Sequence, residues 1–273
     1  MNSPDPRSLP PQSPGTPPVV HYARRVAVLS DVHGNVPALR AVLAEPDVAA
    51  ADTVVFTGDL TWGPDPVETL AIVTELGDRA RFLRGNADRA VLDLDAEGVR
   101  DEDPYFAARD AWMLAEHPRE AVDFLARMPF SLVFEIEGLG RVRLCHGSPR
   151  SDEELLTPGT PAERIAEIAA TIPERVLVHG HTHIQYTREI AGLRVTNPGS
   201  VGLPYHDGAP GTAYWALLGP GIELRQTAYE VADELDRLTA TGIPTGAKLN
   251  EYLMNPPTPA EVTADAEERV FSG

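Results

Sequence analysis

Histidine, aspartate and asparagine side chains recur in short motifs between residues 31 and 183, and their types are those that bind metal ions. In chain order the motifs are Asp31-x-His33, Gly58-Asp59, Gly85-Asn86, His146-Gly147 and Gly180-His181-x-His183. Four imidazoles, two carboxylates and one amide suit Mn, Fe, Zn or Ni better than Ca or Mg, which prefer oxygen ligands alone. Because seven protein groups exceed the needs of one site, the set predicts two divalent transition-metal ions.

The spacing of the motifs predicts that they meet at one edge of a sheet. Each motif follows a short apolar run, and these runs are RVAVLS, TVVFT, ARFLR, RVRLC and RVLVHG. In an open α/β sheet the carboxyl ends of parallel strands gather at one edge, where ligands bind. In extended backbone, residues i and i+2 point to the same side, so we expect Asp31 and His33 to present two ligands together. The same reasoning applies to His181 and His183.

An alternation of strands and helices has to position these motifs. Eight strands are predicted, at 25–30, 53–57, 80–84, 131–136, 141–145, 175–179, 184–190 and 211–218. Apolar residues at helical spacing fill a segment from about 87 to 129, interpreted either as a pair of amphipathic helices packed on the sheet or as a cap over the substrate. A hairpin over 211–229 and a helix over roughly 230–240 follow. The pattern predicts an α/β fold with a parallel or mixed sheet.

The composition excludes several classes of protein. Of the 273 residues, 42% are hydrophobic, which is enough for a buried core. The formal net charge of −18 disfavours binding to a nucleic-acid backbone or an anionic membrane surface. No apolar run approaches the ~20 residues of a membrane span, and the single cysteine excludes a disulfide framework. With no signal-peptide pattern at the N-terminus, we expect a cytoplasmic protein with no membrane partner and no stable nucleic-acid partner.

The ordered motifs resemble those of the calcineurin-like metallophosphoesterase superfamily. Neighbouring stretches, which are DVHGNVPAL, GPDP, CHGSP and NPGSVGLP, look like its small prokaryotic branch of cyclic-nucleotide and general phosphodiesterases. The resemblance covers about residues 25–220 and implies a four-layer αββα sandwich of mixed sheets flanked by helices. We expect this domain over 19–245, with the helical insert at about 87–129 and a C-terminal extension at 246–273. Residues 1–18, which contain seven prolines, are predicted to form a disordered tail.

The resemblance also implies a role for each ligand. One ion would be held by Asp31, His33 and His183. The other would be held by Asn86, His146 and His181, and Asp59 would bridge the two. Such a centre hydrolyses a phosphoester with metal-bound hydroxide, so Asp59 and Asn86 count as catalytic residues as well as ligands. Mn is the first choice of ion, with Fe, Ni and Zn as alternatives.

One position departs from the family pattern. Related proteins often carry Gly-Asn-His-Asp at the third motif, where this chain has Gly85-Asn86-Ala87-Asp88. General acid help is worth about 10²–10⁴ in rate, so the missing imidazole favours substrates whose leaving group needs little protonation. His206 is a candidate replacement donor, the alternative being a solvated turn histidine. Asp88 is interpreted either as a residue that orients a ligand or as a plain helix N-terminal acid.

Four further residues are candidates for substrate binding. Arg84, Arg89 and Arg150 lie near ligand motifs and have the donor geometry to clamp a phosphate, although ordinary surface arginines show the same pattern. Trp62, three residues after Asp59, is positioned to stack on a base or to pack beneath the GPDP turn.

Three functions compete at this level. The first is a metal-dependent phosphodiesterase acting on small phosphodiesters such as cyclic nucleotides. The second is a phosphomonoesterase or protein phosphatase, and the third is a non-catalytic binding scaffold of the same fold, as in the retromer subunit that resembles these enzymes. A scaffold tolerates the loss of metal ligands, whereas all seven are present here. The expected partner is a small phosphoester substrate, and self-association into a homo-oligomer is left open.

Overall fold

The computed structural model describes residues 19–269, which form eleven strands and ten α-helices. The strands are β1 (Val20–Ala23), β2 (Val26–Leu29), β3 (Thr53–Thr57), β4 (Ala80–Leu83), β5 (Ser131–Ile136), β6 (Gly140–Cys145), β7 (Val176–Val178), β8 (Gln185–Ile190), β9 (Leu193–Pro198), β10 (Thr212–Leu218) and β11 (Ile222–Ala228). The helices are α1 (Val36–Leu43), α2 (Pro46–Ala49), α3 (Pro66–Thr74), α4 (Asn86–Glu97), α5 (Pro104–Glu116), α6 (Arg119–Ala126), α7 (Ala162–Ala169), α8 (Val231–Thr241), α9 (Gly246–Met254) and α10 (Pro259–Glu268). The predicted tail at 1–18 and the last four residues of the predicted extension, 270–273, lie outside the described residues.

The strands form two mixed sheets. The five-stranded sheet has the order β11-β10-β2-β3-β4, in which β2, β3 and β4 run parallel and β10 runs antiparallel to β2. The six-stranded sheet has the order β1-β5-β6-β7-β9-β8, in which β6, β7 and β9 run parallel. In both sheets, therefore, parallel strands end at a common edge, as the metal-site prediction requires.

Alternation of buried side chains along the strands produces four layers. Val28 and Val55 face the other sheet, where they join Leu144 and Val178 in one apolar core. The intervening residues of the same strands, such as Leu29, pack on the opposite face against α1, α3 and α6. Helix α7 covers the outer face of the six-stranded sheet. Period-two burial between two apolar faces thus gives the αββα sandwich, which confirms the predicted fold class.

The ends of the eight predicted strands agree with the structure to within one residue, and β11 is the second strand of the predicted hairpin, but β1 and β9 were not predicted. Strand β1 has only four residues, and β9 ends in Asn197-Pro198, a pair that resembles a loop in sequence. The insert contains three helices instead of a pair. Its helix α6 packs on the sheet, where Val122 and Leu125 are buried.

A further apolar core, formed mainly by helices, lies beside the sandwich. Buried apolar residues from α4, α5, α8 and α9 and from the α8–α9 connection meet there, namely Leu94, Met113, Leu238, Ile243 and Leu253. Half-buried Trp62 and Leu203 pack against this group, which we call the helical cluster. Farther along, Glu267 of α10 accepts hydrogen bonds from the hydroxyls of Thr157 and Thr160. Much of the predicted C-terminal extension is therefore helical and packed. None of the helices between residues 19 and 269 is long and apolar enough to cross a membrane.

Candidate metal centre

The ligand motifs come together at the carboxyl edge of the two sheets in two groups. Asp31, His33 and His183 form group A, and Asp59, His146 and His181 form group B. Within each group the candidate ligand atoms all lie within 4.8 Å of one another. The side chains of both groups are largely buried.

Asp59 lies between the two groups. Its Oδ2 atom is 3.3 Å from Nε2 of His146 and 3.7 Å from Nε2 of His33. The Oδ1 atom of Asn86 lies 2.8 Å from the same Nε2 atom of His146, which brings Asn86 to group B. In group A the Nε2 atom of His183 is 3.2 Å from both Nε2 of His33 and Oδ1 of Asp31. All seven predicted ligands thus converge.

Backbone carbonyl groups fix the orientation of the imidazole rings. The Nδ1 atoms of three histidines face a carbonyl oxygen, with distances of 3.0 Å for His33 to Trp62, 2.9 Å for His146 to Thr57 and 2.7 Å for His183 to Leu203. An Nδ1–H that donates to a carbonyl leaves the Nε2 lone pair for a metal. His181 is reversed, because its Nε2 faces the carbonyl of Glu153 at 3.2 Å and its Nδ1 is left to bind. This donor set fits two transition-metal ions.

The ligand loops adopt a backbone conformation that most residues avoid. Among the described residues, six non-glycine residues have positive φ, and five of them are predicted ligands: Asp31, His33, Asp59, His181 and His183, with φ between 49° and 66°. These five residues are therefore not in the extended conformation that the i and i+2 spacing predicted, and that prediction was wrong. It also paired His181 with His183, whereas the structure assigns them to different groups. Left-handed residues of this kind are concentrated at functional sites.

Asp88 holds the loop that carries Asp59. Its carboxylate accepts hydrogen bonds from the backbone nitrogens of Asp59 at 2.9 Å, Leu60 at 3.0 Å and Gly85 at 2.9 Å. The backbone nitrogen of Ala87 in turn donates to Oδ1 of Asp59 at 2.8 Å. Of the two interpretations of Asp88, these contacts support a role in orienting a ligand. Burial and the charge of Asp59 raise the pKa of Asp88 to about 7.

The charged groups of the site shift one another's pKa values. Burial lowers the pKa of His146, but the nearby carboxylates of Asp59 and Asp31 outweigh it and raise that pKa to about 10. Burial and the charge of His146 lower the pKa of His181 to about 4. Although burial disfavours its charged form, Asp59 has a pKa far below its usual range because of its contacts with His146. The carboxylates of Asp59 and Asp31, whose pKa values are both lowered, therefore stay ionised at neutral pH and attract cations.

The NPGSVG stretch joins the two sides of the site. Its Asn197 side chain donates to the carbonyl oxygen of Gly180 at 2.7 Å, and the Ser200 hydroxyl donates to that of Asp31 at 2.7 Å. The backbone nitrogen of Gly202 also donates to Asp31 O, at 3.0 Å. The sequence marked this stretch as part of the resemblance, but it gave no role to Asn197 or Ser200.

The other predicted site residues lie around this centre. The carbonyl of Trp62 faces Nδ1 of His33, while the Trp62 ring is half-buried against the helical cluster. His206 lies against Tyr214, with a ring distance of 5.2 Å, and its Nδ1 accepts from the Gly208 nitrogen at 2.9 Å. Burial lowers the pKa of His206, which favours the neutral ring. The neutral ring and these contacts oppose a role of His206 as proton donor to the leaving group. That role stays a prediction.

The three arginines differ in how far their charge is compensated. Arg89 binds Asp152 at 2.8 Å and Glu153 at 2.5 Å. Arg150 binds Glu154 at 2.5 Å and Glu167 at 3.4 Å. Within residues 19–269 the buried Nε of Arg84 has no hydrogen-bond partner. Binding of substrate phosphate by any of these arginines stays a prediction, and the ion pairs of Arg89 and Arg150 oppose it.

Comparison with known proteins identifies the family. A sequence model described as the calcineurin-like phosphoesterase superfamily domain matches residues 25–217. The chain belongs to the calcineurin-like phosphoesterase superfamily. Its two Asp/His groups fit the binuclear divalent metal site of a metal-dependent phosphoesterase, which confirms the resemblance seen in the motifs.

Two curated relatives of this phosphoesterase differ in how much of the chain they match. A protein of Methanocaldococcus jannaschii, named as uncharacterized, is 25% identical over 239 residues, which are 80% of this chain and 93% of the relative. A symmetrical bis(5'-nucleosyl)-tetraphosphatase of Photorhabdus laumondii is 33% identical over 104 residues, 37% of each chain. The second similarity covers only part of both proteins.

Two solved structures share the fold over nearly their whole length. A metallophosphoesterase from Sphaerobacter thermophilus has a TM-score of 0.66 at 24% identity, covering 87% of this chain and 99% of the other. A hypothetical protein from Pyrococcus horikoshii has a TM-score of 0.72 at 19% identity, covering 88% and 100%. At these identities the likeness shows the fold alone.

Proposed function

We propose that this phosphoesterase hydrolyses small phosphodiesters, with cyclic nucleotides and related compounds as the first candidates. The observation that carries the proposal is the position of Asp59, whose carboxylate reaches histidines of both groups. Asp59 would bridge two ions, with Asp31, His33 and His183 on one side and Asn86, His146 and His181 on the other. When bound, the two ions supply charge neutralisation at the phosphate and lower the pKa of a water molecule.

The residues of the chain then position the reaction. Carbonyl-bound imidazoles and the loop fixed by Asp88 keep the ligands in place before the substrate arrives. Cys145 is fully buried, and burial raises the pKa of its thiol, which opposes a role as a protein nucleophile. Direct attack by water is the route that this arrangement supports.

A second candidate substrate class is the nucleoside polyphosphates. The relative in Photorhabdus laumondii is named as a bis(5'-nucleosyl)-tetraphosphatase, and the similarity supports this class over its 104 residues. Each internal phosphorus atom of such a compound is bonded to two bridging oxygens, as is the phosphorus of a phosphodiester. A departing phosphate needs little protonation, which agrees with alanine at position 87.

The proposal is tested by comparing a diester with a monoester. Purified protein is supplied with Mn²⁺ and assayed with bis(p-nitrophenyl) phosphate and p-nitrophenyl phosphate, with and without chelator. We expect a higher kcat/KM for the diester and loss of activity on chelation. A preference for the monoester would support the phosphomonoesterase alternative, and inactivity on both compounds and on cyclic nucleotides would support the scaffold. Manganese as native ion and cytoplasmic location stay predictions from the sequence, and self-association stays open.

A further inference from the structure

Two cationic side chains rest on aromatic rings beside group A. The guanidinium carbon of Arg109, on α5, lies 5.3 Å from the ring centroid of Trp62 and 5.0 Å from that of Phe106. The ammonium of Lys248, on α9, lies 5.4 Å from the ring centroid of Tyr252. Helices α5 and α9 both contribute side chains to the helical cluster, so the two cations border the same apolar core.

Both cations connect to the histidines of group A through short chains of contacts. On one side, the Trp62 carbonyl accepts from His33 at 3.0 Å. On the other, the Tyr252 ring is 6.2 Å from that of Tyr205, which stacks on His183 at 4.9 Å. Because Nε2 of His33 and Nε2 of His183 are only 3.2 Å apart, the two chains of contacts approach the same metal site from two directions.

The charge around the centre is asymmetric. Beside group B, Glu153 contacts His181 through its carbonyl, and the carboxylates of Glu153 and Asp152 neutralise Arg89. Lys248 is the only lysine of a chain with a net charge of −18, and it forms no ion pair with any residue between 19 and 269. Arg109 binds the neighbouring Asp110 through Nε and Nη2, which leaves Nη1 as a donor. On the group A side, therefore, Lys248 has no ion pair among the described residues, and Arg109 is paired with Asp110 but keeps one free donor nitrogen.

We propose that Lys248 and Arg109 form a subsite for a second phosphate group of the substrate, beyond the phosphorus that reacts. The proposal rests on the proposed function and narrows its substrate class to compounds with more than one phosphate, such as nucleoside polyphosphates. A phosphate oxygen accepts charge-assisted hydrogen bonds from both cations. The aromatic rings hold the cations at the rim through cation–π contacts and limit their motion.

The test compares Lys248→Gln with the parent on two substrates. Diadenosine tetraphosphate carries further phosphates, and bis(p-nitrophenyl) phosphate carries none. We expect kcat/KM for the tetraphosphate to fall on the order of tenfold more than kcat/KM for the diester, mainly through KM. Arg24→Gln is the matched control, because it removes one positive charge from an exposed residue before β2, at the opposite end of the sheets. It is expected to change neither value.

A binding measurement separates this inference from the proposed function. Calorimetric titration with adenosine 5'-diphosphate reports on the subsite without hydrolysis, and Lys248→Gln should weaken its Kd on the order of tenfold, with Arg24→Gln unchanged. Equal Kd values in parent and Lys248→Gln, or no binding to the parent, would overturn the subsite. A parent that binds the diphosphate through Lys248 but hydrolyses neither substrate would contradict the proposed function alone.

Discussion

The carboxylate of Asp88 accepts the backbone N–H of Asp59 at 2.9 Å, and through this contact helix α4 holds the loop between the two metal-ligand groups. The same carboxylate accepts the N–H groups of Leu60 and Gly85. Among the described residues these three N–H groups have no other hydrogen-bond acceptor, so replacing Asp88 leaves buried donors without a partner.

Asp88→Asn should therefore weaken metal binding. An amide keeps the size of the side chain but turns an N–H donor toward backbone N–H donors. We expect Mn²⁺ affinity, measured by calorimetric titration, to fall 10- to 100-fold, as is common for residues that orient a ligand. Asp93→Asn, an exposed position on the same helix, is the control and should keep the affinity of the parent. Equal affinity in Asp88→Asn would show that the contact does not position Asp59.

Replacing Gly85 tests how closely the backbone at this position must approach Asp59. A Cβ atom at this position would lie 2.2 Å from Oδ1 of Asp59 and 2.6 Å from its nitrogen. Gly85→Ala should therefore displace the Asp59 side chain and abolish metal binding, measured as bound Mn²⁺ per chain. Gly221→Ala is the matched control, since a Cβ there has no neighbour within 4 Å. Normal metal content in Gly85→Ala would contradict the described position of Asp59.

Metal binding should release protons. Burial lowers the pKa of His146, but the neighbouring carboxylates outweigh it and raise that pKa to about 10. Before metal binds, the ring is therefore a positively charged imidazolium at pH 7.5, with protons on both nitrogens. A metal ligand must be a neutral imidazole, so binding releases that proton, and affinity should increase as the pH rises toward 10.

Calorimetric titration with Mn²⁺ in Tris and in HEPES, two buffers that differ in ionisation enthalpy, measures the number of protons released on metal binding. We expect at least one proton per chain at pH 7.5. His21→Asn, at a half-buried histidine packed on Phe134, should leave the count unchanged. Binding without proton release, or affinity that is constant with pH, would refute this account of His146.

Ala87 predicts selectivity for good leaving groups. With no imidazole beside Asn86, rates should depend steeply on leaving-group pKa, and Ala87→His should help poor leaving groups more than good ones. The measurement is log kcat/KM across substituted phenyl phosphodiesters, under conditions where chemistry limits the rate. If His206 donates the proton, His206→Ala should have a steeper slope than the parent. Equal slopes for the parent, Ala87→His and His206→Ala would mean that neither side chain protonates the leaving group.

The convergence of the candidate metal ligands could be predicted from the sequence because their chemistry lies in their side chains. Asp59 and His146 are recognisable by type and by their place after a strand, and the sheet order then brings them together. The acceptors that orient the rings, such as the carbonyls of Trp62 and Leu203, were not predictable, because every residue has a carbonyl and only the fold decides which one faces His33 or His183.

Long-range packing explains what else the sequence did not reveal. Strand β9 is completed by pairing with β7 and β8 and not by local propensity. The position of Lys248 depends on α9 joining a cluster that includes helices more than a hundred residues earlier in the chain. Such contacts leave no periodic pattern near the residue itself, so nothing in the local sequence linked Lys248 to the metal ligands.

The number of metal ions held by the parent and by two variants tests the central claim most directly. Elemental analysis after Mn²⁺ loading and desalting should give about two ions per chain for the parent, one for each Asp/His group. Asp59→Ala removes the carboxylate that reaches both groups and should lose both ions together, whereas Asn86→Ala should mainly lose one. A parent without bound metal, or equal losses in the two variants, would contradict a binuclear centre that shares Asp59.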